Sequence, residues 1–286
     1  MLLGSSDVDI AKQRYNFGKW ITVNSIVYVL YSKGDDAFVG WALMASALGF
    51  YQLAYRLSNA PATEITHTIS SVTFSAYSKV QNNVEKLRTG YLKTLRMTTF
   101  VSFPAAVGIA AVAPTFIEAF FPPEWRPLAP VMQLLAFYAL LRSMGATMGP
   151  VWKAIGRPDL IAKLATLRVA LLAMFIYPVT IVYGIEGTAA LILAVYIFPM
   201  MPLDIYLISR SIDTSPVRII REVTYPLAAS MVMGAAVTYL EWSLLEFAVL
   251  IIVGIVVYAA VAIGLMVGFS WEVKQNIESI VDTLEG

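Results

Sequence analysis

Residues 17–43 read FGKWITVNSIVYVLYSKGDDAFVGWAL, an apolar stretch with charged residues in its second half. The stretch is longer than the about 20 apolar residues that a helix needs to cross the hydrocarbon core of a membrane. Lys33, Asp35 and Asp36 interrupt it, with Gly34 between them. In a soluble protein this cluster would form a surface turn, whereas in a membrane protein it would place charges inside the bilayer. The solvent around this stretch therefore decides the fold.

The composition of the whole chain indicates a membrane protein. Of the 286 residues, 58% are hydrophobic and 14% are charged, and the mean hydropathy is +0.71. Soluble domains have about 45–50% apolar and 25% charged residues. The net charge of +1 gives no indication of a nucleic-acid partner, and the lack of cysteine excludes disulfides and cysteine metal sites. The first 20 residues have no signal-peptide core, so we interpret them as mature sequence.

Eight segments are long and apolar enough to cross a membrane as helices. The connections between them are polar or contain the Pro and Gly residues that are typical of turns. We therefore predict an all-α integral membrane protein with about eight transmembrane helices. The predicted spans are Phe17–Leu43, Gly49–Tyr77, Tyr91–Phe121, Leu128–Ala154, Leu160–Tyr183, Thr188–Ile208, Ile219–Leu240 and Leu244–Gly268.

The distribution of Lys and Arg predicts the orientation, because these residues are retained in cytoplasmic loops. With a cytoplasmic N-terminus, the opposite set of connections contains only Arg126. We therefore expect both termini in the cytoplasm. The basic residues assigned to the cytoplasmic side are Lys12, Arg14, Lys19, Lys79, Lys86, Arg88, Lys93, Arg96, Lys153, Arg157, Lys163, Arg168, Arg210, Arg218, Arg221 and Lys274.

Three further basic residues, Lys33, Arg56 and Arg142, fall within predicted spans. An intramembrane charge costs a few kcal/mol, about 2.5–3.5 on insertion scales, and by default indicates a functional site. Asp35 or Asp36 would lie at a depth similar to that of Arg56, so the sequence predicts an ion pair between them.

The second predicted span also contains titratable residues nearer the middle of the membrane. Helical spacing places Arg56, Ala60, Glu64 and His67 on one face. Arg142 would lie near the midplane, at a depth comparable with that of Glu64.

Each of these residues has an alternative structural interpretation. The Lys33–Asp36 segment could be an outer loop that turns at Gly34. His67 could be a hydrogen-bonded interior residue, and Arg142 could bridge two helices by binding a carboxylate such as Glu64. Asp204 follows two prolines close to a predicted helix end, so we expect it to be solvated and do not include it in the site.

Enzymatic motifs are absent from the sequence. It has one His, no GxSxG, no P-loop and no HExxH. The paired aspartates in GDD are typical of glycosyltransferase metal sites, but the sequence shows no sizeable extramembrane domain to hold a sugar nucleotide. We predict a non-enzymatic protein without metal or cofactor.

An ordered set of segments resembles the Wzx-type polysaccharide flippases of the multidrug/oligosaccharidyl-lipid/polysaccharide exporter superfamily. The set spans about 200 residues, and its order makes the resemblance more specific than any one piece. The segments are residues 17–61 (FGKWITVNSIVYVLYSKGDDAFVGWALMASALGFYQLAYRLSNAP), 74–96 (FSAYSKVQNNVEKLRTGYLKTLR), 120–137 (FFPPEWRPLAPVMQLLAF), 156–160 (GRPDL) and 183–190 (YGIEGTAA).

The resemblance implies a MATE/MurJ-like flippase fold of about fourteen helices, with two six-helix lobes and two appended helices. This chain resembles the C-terminal lobe with the appended pair. The N-terminal lobe would then belong to the same gene, with this chain as a fragment, or to an adjacent gene; we favour the fragment. The expected segments are a cytoplasmic segment 1–16, a six-helix bundle 17–212, two appended helices 213–268 and a cytoplasmic amphipathic tail 269–286.

The resemblance further implies the transport of a lipid-linked oligosaccharide, with an isoprenoid phosphate or pyrophosphate, from the inner to the outer leaflet of the cytoplasmic membrane. Arg142, Arg56 and Lys33 would bind the lipid phosphate. The residues Asp35, Asp36, Glu64 and His67 would balance charge or couple an ion. Two alternatives remain open: a multidrug or cation exporter of the same superfamily, and an inactive half-gene or membrane scaffold.

Overall fold

The computed structural model describes the backbone of residues 5–241 and 249–264 and the side chains of residues 29–64, 69, 73–240 and 249–264. Over these residues the secondary structure is helical, without a strand. The helices are α1 (Ser5–Val80), α2 (Val84–Phe120), α3 (Leu128–Ala154), α4 (Pro158–Val195), α5 (Met201–Ser211), α6 (Pro216–Glu241) and α7 (Val249–Gly264). A short 3₁₀ turn, Pro123–Trp125, precedes α3, and a π-helical turn, Tyr196–Met200, joins α4 to α5.

The two longest helices, α1 and α4, each reverse direction at one residue. Met44 has φ 72° in α1, and Gly184 has φ 63° in α4. The Tyr51 hydroxyl donates a 2.8 Å hydrogen bond to Asp35, 16 residues earlier, although a straight helix would separate the two residues by about 24 Å. The contact requires the chain to fold back at Met44, so α1 consists of two antiparallel arms. A 2.8 Å hydrogen bond between the hydroxyls of Thr180 and Thr188 shows the same reversal at Gly184.

Within the described part of the chain, five helices are long and apolar enough to cross a membrane. They are Val29–Glu64, Val84–Phe120, Leu128–Ala154, Pro158–Ser211 and Pro216–Leu240, and Val249–Gly264 is a shorter apolar helix. Both kinks lie in connections predicted from the sequence. The prediction of an all-helical, multi-pass membrane protein is confirmed.

Helix α3 lies at the centre of the bundle and packs against α1, α2 and α4. Buried hydroxyls connect it to its neighbours: Ser102 and Ser143 form a 2.8 Å hydrogen bond, and Ser58 donates to the Met132 carbonyl over 2.8 Å. Such bonds stabilise helix pairs in a membrane, where apolar packing alone gives little preference for protein over lipid. On the far side of α2, helix α6 approaches closely because a Cβ at Gly234 would lie only 2.6 Å from Val107.

Contacts between distant loops define the two ends of the bundle. At one end, the Arg88 guanidinium donates to the Asp213 carbonyl over 2.6 Å, and the Trp152 indole donates to the Ser211 hydroxyl over 3.2 Å. The loops 81–83, 155–157 and 212–215 meet there. We call this the basic end, because Lys and Arg residues flank these loops. At the opposite end, Phe50 packs edge-on against Trp125 with ring centroids 4.5 Å apart. This grouping of the loops agrees with the grouping predicted from the sequence.

Candidate functional site

Arg168 lies inside the helix bundle, where only 5% of its surface is exposed. The prediction that it belongs to a basic loop is wrong, because α4 begins at Pro158 and carries Arg168 about 15 Å along the helix axis. Its guanidinium carbon lies 4.6, 5.2 and 5.8 Å from the ring centroids of Tyr31, Tyr138 and Tyr196. We call these four residues the Arg168 cluster.

Aromatic rings, rather than a carboxylate, surround this buried charge. In the described part of the chain, none of the ion pairs closer than 4.0 Å includes Arg168. Cation–π contacts contribute about 0.5–2 kcal/mol each in desolvated surroundings, which offsets part of the cost of burying the charge. The charge also acts at longer range on the carboxylates of Asp35 and Asp204. The cluster therefore holds a fixed positive charge inside the bundle.

Asp204 is also buried, with 6% of its surface exposed, so the prediction of a solvated carboxylate is wrong. The π-helical turn and α5 fold this part of the chain back against α3. A Cβ at Gly145 would collide with the Tyr196 hydroxyl and would lie 3.7 Å from Oδ2 of Asp204. Gly145, in the stretch MGATMGP, thus leaves room for the Tyr196 hydroxyl and the Asp204 carboxylate.

Arg142 lies half-buried on α3 and reaches across to the second arm of α1. Its Nη2 donates a 2.6 Å hydrogen bond to the Thr63 hydroxyl, and its Nε is buried without a hydrogen-bond partner. The contact is therefore to Thr63 and not to Glu64, the carboxylate considered for a helix bridge.

A ladder of polar residues on α1 leads to this contact. Tyr55, Asn59 and Thr63 follow at intervals of four residues, which places them on one face of the helix. That face points towards α3, because the Tyr55 ring lies 6.4 Å from the Tyr138 ring. Asn59 is only 2% exposed, and both polar atoms of its side chain are buried without a partner. Buried polar groups are nearly always hydrogen-bonded, so orphaned atoms on neighbouring helices indicate a place for a polar ligand or water.

The aspartates of the opening stretch have different partners from those predicted. Asp35 accepts the hydrogen bond from Tyr51 over 2.8 Å, and Asp36 pairs with Lys33 at 3.1 Å and with Gln52 at 3.3 Å. Arg56 is exposed and forms none of the ion pairs in the described part of the chain. The predicted pair with Arg56 is wrong. Tyr51 and Gln52 lie opposite the aspartates, and Arg56 lies five residues, about 7.5 Å, further along the second arm than Tyr51.

The remaining predicted residues lie around the edge of the site. Lys33 has 68% of its side chain exposed. The residues Arg56, Ala60 and Glu64 share an exposed face, as helical spacing predicted, and the side chain of His67 lies outside the described residues. The structure thus brings Lys33 and Asp36 together but separates Arg56 from the aspartates.

Arg142 and Arg168 both lie within electrostatic range of one tyrosine. Both of their charges act on the Tyr138 hydroxyl, which lies between α1 and α4. Sequence reasoning missed Arg168, Asp204 and Asn59. Arg168 could have been found, since it lies well within the span predicted from Leu160 to Tyr183.

The chemistry of this arrangement favours an anionic ligand. Two arginines project into the bundle from neighbouring helices, without a carboxylate within 4.0 Å among the described residues. The Thr63 hydroxyl contacts Arg142, and three tyrosine rings surround Arg168. Among the described residues, no group of three His, Cys, Asp or Glu side chains is arranged to hold a metal ion. Guanidinium groups in such a position bind phosphate oxygens by charge-assisted, often bidentate, hydrogen bonds.

Comparison with known proteins identifies relatives in sequence and in fold. A family model described as "Polysaccharide biosynthesis protein" matches residues 4–130. The lipopolysaccharide biosynthesis protein WzxC of Escherichia coli (strain K12) is 34% identical over 147 residues, which cover 51% of this chain and 30% of WzxC. The teichuronic acid biosynthesis protein TuaB of Bacillus subtilis (strain 168) is 32% identical over 149 residues, which cover 52% of this chain and 31% of TuaB.

Among solved structures, the fold is similar to that of the lipid II flippase MurJ in its inward closed conformation. The TM-score is 0.70, and the match covers 88% of this chain and 54% of that chain. At 17% identity the likeness shows the fold alone. The chain spans about half of MurJ and about 30% of the curated relatives named above. By these matches, part of the chain is similar to Wzx-type polysaccharide biosynthesis proteins.

Proposed function

We propose that this chain is one lobe of a flippase that moves a lipid-linked oligosaccharide from the inner to the outer leaflet of the cytoplasmic membrane. The observation that carries the proposal is the pair of inward-facing arginines, Arg142 and Arg168, without carboxylate partners among the described residues. The family match and the flippase fold support it. We also propose that the chain transports its ligand and does not catalyse a reaction.

The proposed ligand of the arginine pair is the phosphate or pyrophosphate of an isoprenoid carrier. A pyrophosphate cannot cross bare hydrocarbon, because the cost of removing a charge from water is too high. Arg142 offers its buried Nε, which has no hydrogen-bond partner, and its Nη2 lies beside the Thr63 hydroxyl. Arg168 supplies a second positive charge at the ring of Tyr138. Together they replace part of the hydration of the phosphate while it passes between leaflets.

We assign supporting roles to the residues around the pair. Lys33 and Arg56 lie exposed at the outer part of α1, where they would guide the phosphate towards or away from Arg142. The acidic residues and the histidine would keep the empty site near neutral or couple an ion. This group comprises Asp35, Asp36, Glu64 and His67, to which the structure adds Asp204.

A second lobe is part of the proposal. Arg56 and Glu64 lie on an exposed face of a membrane helix, where contact with lipid would be costly. A facing lobe would convert this surface into a water-filled cleft, and alternating access would arise from rocking of the two lobes. With reversals at Met44 and Gly184, we infer eight crossings: six in segment 17–212 and two appended in segment 213–268. Segments 1–16 and 269–286 would be cytoplasmic.

The test measures transport by the assembled two-lobe protein in liposomes. A fluorescent lipid-linked oligosaccharide is supplied in one leaflet, and its appearance in the other leaflet is scored. The Arg142→Ala variant should lower the transport rate at least tenfold, because a charge-assisted contact contributes about 1.5–3 kcal/mol. Arg142→Lys should insert normally but lose much of the transport, because lysine lacks the planar fork. Arg126→Ala is the matched control, since Arg126 is an exposed loop arginine.

Two results would contradict the proposal. Wild-type transport by an Arg142→Ala variant that inserts normally would make Arg142 a structural helix bridge. Transport of a cationic dye, with no movement of the lipid-linked oligosaccharide, would favour the drug-exporter alternative.

A further inference from the structure

We propose that a cavity between α2 and α6 at the basic end binds the phosphate headgroup of an anionic membrane phospholipid. The cavity has a volume of about 600 Å³. Among the described residues, its lining comes from α2, α6, the residue before α6 and α7, with no contribution from α1, α3 or α4. The cavity is therefore separate from the Arg142 and Arg168 site, and this proposal does not depend on the proposed function.

The charged part of the lining favours an anion. Three arginines, Arg96, Arg218 and Arg221, line the cavity together with one carboxylate, Glu222. The Nε of Arg96 donates to Oε2 of Glu222 over 2.7 Å, which fixes Arg96 against α6. The Glu222 carboxylate is therefore already paired with Arg96. The lining as a whole keeps a positive excess, and the exposed side chain of Arg218 is in none of the ion pairs of the described chain.

The other part of the lining is apolar and lies further from the basic end. Phe100 lies one helical turn beyond Arg96, and Pro226 and Ala262 continue the same wall. The Tyr258 hydroxyl donates to the Phe100 carbonyl over 2.6 Å, and the two rings lie 5.4 Å apart. This contact holds Phe100 against α7, one helical turn from Ala262. The cavity thus has a basic half near the loops and an apolar half towards the hydrocarbon.

This order of surfaces matches a phospholipid better than a soluble phosphate. Basic pockets between membrane helices, at the level of the helix ends, bind anionic headgroups. Here α6 begins at Pro216, so Arg218 and Arg221 lie in its first two turns. A soluble phosphate would use the arginines but would leave the wall formed by Phe100 and Ala262 in contact with water. A phospholipid satisfies both halves, with its phosphate on the arginines and its glycerol and upper acyl carbons on the apolar wall.

The experiment measures lipid binding to the complete 286-residue chain in detergent, by native mass spectrometry and by the shift in melting temperature. The probes are phosphatidylglycerol, phosphatidylcholine and water-soluble glycerol 3-phosphate. We expect phosphatidylglycerol to bind and to raise the melting temperature, and the other two to have little effect. The double variant Arg218→Gln/Arg221→Gln should weaken phosphatidylglycerol binding about 25-fold, which is about fivefold for each arginine.

A matched control removes the same charge from the same end of the molecule. Lys153→Gln/Arg210→Gln changes two exposed basic residues that do not line the cavity, and it should bind phosphatidylglycerol as the wild type does. Binding by the wild type should also weaken in high salt, because the contacts are partly exposed. This salt dependence tests the charge contribution without any substitution.

Three results would overturn the proposal. Equal binding by the cavity variant and the control variant would show that the lipid binds elsewhere. Equal binding of glycerol 3-phosphate would identify a soluble phosphate as the ligand. The third result concerns segment 269–286, which is rich in Asp and Glu. If phosphatidylglycerol bound only after deletion of this segment, the tail of the chain would be the occupant of the cavity.

Discussion

The hydroxyl of Tyr51 donates a 2.8 Å hydrogen bond to Oδ2 of Asp35, and this contact joins the two arms of α1 below the reversal at Met44. The neighbouring pair repeats the pattern, with Gln52 donating to Asp36 over 3.3 Å. A carboxylate at this depth in a membrane protein is costly unless it accepts hydrogen bonds. The two contacts therefore explain how the charges of the opening stretch are accommodated within a helical hairpin.

The Tyr51→Phe variant should lower the stability of the protein. It removes the hydroxyl without changing the ring, and it leaves the Asp35 carboxylate without this donor. A hydrogen bond to a charged group contributes about 1.5–3 kcal/mol, so we expect a clear fall in melting temperature in detergent. Tyr239→Phe is the control, because Tyr239 is 81% exposed. In the double variant Tyr51→Phe/Asp35→Asn the losses should be less than additive; strictly additive losses would contradict the contact.

The Gly145→Ala variant should be destabilising by overpacking. The added methyl group would collide with the Tyr196 hydroxyl, and extra volume in a packed interior costs about 1–3 kcal/mol. Gly149→Ala is the matched control on the same helix, since its Cβ would lie 3.9 Å from Ile161, an ordinary contact. Melting temperatures of the two variants give the comparison.

A second substitution tests the cause of that loss. Tyr196→Phe removes the atom that the new methyl group would meet, so the Gly145→Ala/Tyr196→Phe variant should recover much of the lost stability. If Gly145→Ala and Gly149→Ala had equal effects, the collision would not be the cause.

The sequence was sufficient to predict the helical membrane architecture, because hydropathy and the length of a membrane crossing restrict the possibilities. The reversals at Met44 and Gly184 lie inside predicted connections for this reason. Helical spacing also predicted that Arg56 and Glu64 share one helix face, which the structure shows to be exposed. These inferences depend only on properties within one helix.

The partners within the candidate site were predicted less well, because they depend on how helices rotate against one another. The estimated depth paired Asp35 with Arg56, but the reversal at Met44 brings Tyr51, five residues or about 7.5 Å nearer the reversal than Arg56, to the aspartate. Arg168 was assigned to a loop because positive charges were counted near a helix end. The rings that surround it come from three separate segments of the chain, and a single sequence does not show which segments meet.

The orientation in the membrane gives a further prediction. Lys86 and Arg157 should face the cytoplasm, whereas Trp125 and Glu186 should face outward, because the basic end carries the Lys and Arg residues that are retained inside. The chain has no cysteine, so single cysteines at these four positions can be labelled with an impermeant thiol reagent in intact cells. Positions 125 and 186 should be labelled, and positions 86 and 157 should be labelled only after permeabilisation. Labelling at position 86 or 157 in intact cells would reverse the orientation.

The Arg168→Met variant separates a structural role of this residue from a role in binding. Burial of a guanidinium in a membrane protein costs about 2.5–3.5 kcal/mol on insertion scales. The three ring contacts at 4.6, 5.2 and 5.8 Å return about 0.5–2 kcal/mol each. The two effects nearly cancel, and methionine fills the space with a flexible side chain that also packs well against aromatic rings. We therefore expect little change in melting temperature.

Binding should respond differently to the same substitution. If Arg168 holds part of the phosphate charge, Arg168→Met should weaken binding of an isoprenoid pyrophosphate at least tenfold, which corresponds to about 1.4 kcal/mol. Arg168→Lys should give an intermediate loss, because it keeps the charge but not the planar fork that stacks on Tyr31 and Tyr138. Native mass spectrometry with the isoprenoid pyrophosphate and the uncharged isoprenol measures the phosphate-dependent part. A variant that melts much earlier but still binds the pyrophosphate as the wild type does would show that Arg168 only holds the helices together, because its charge would then contribute to packing and not to the ligand.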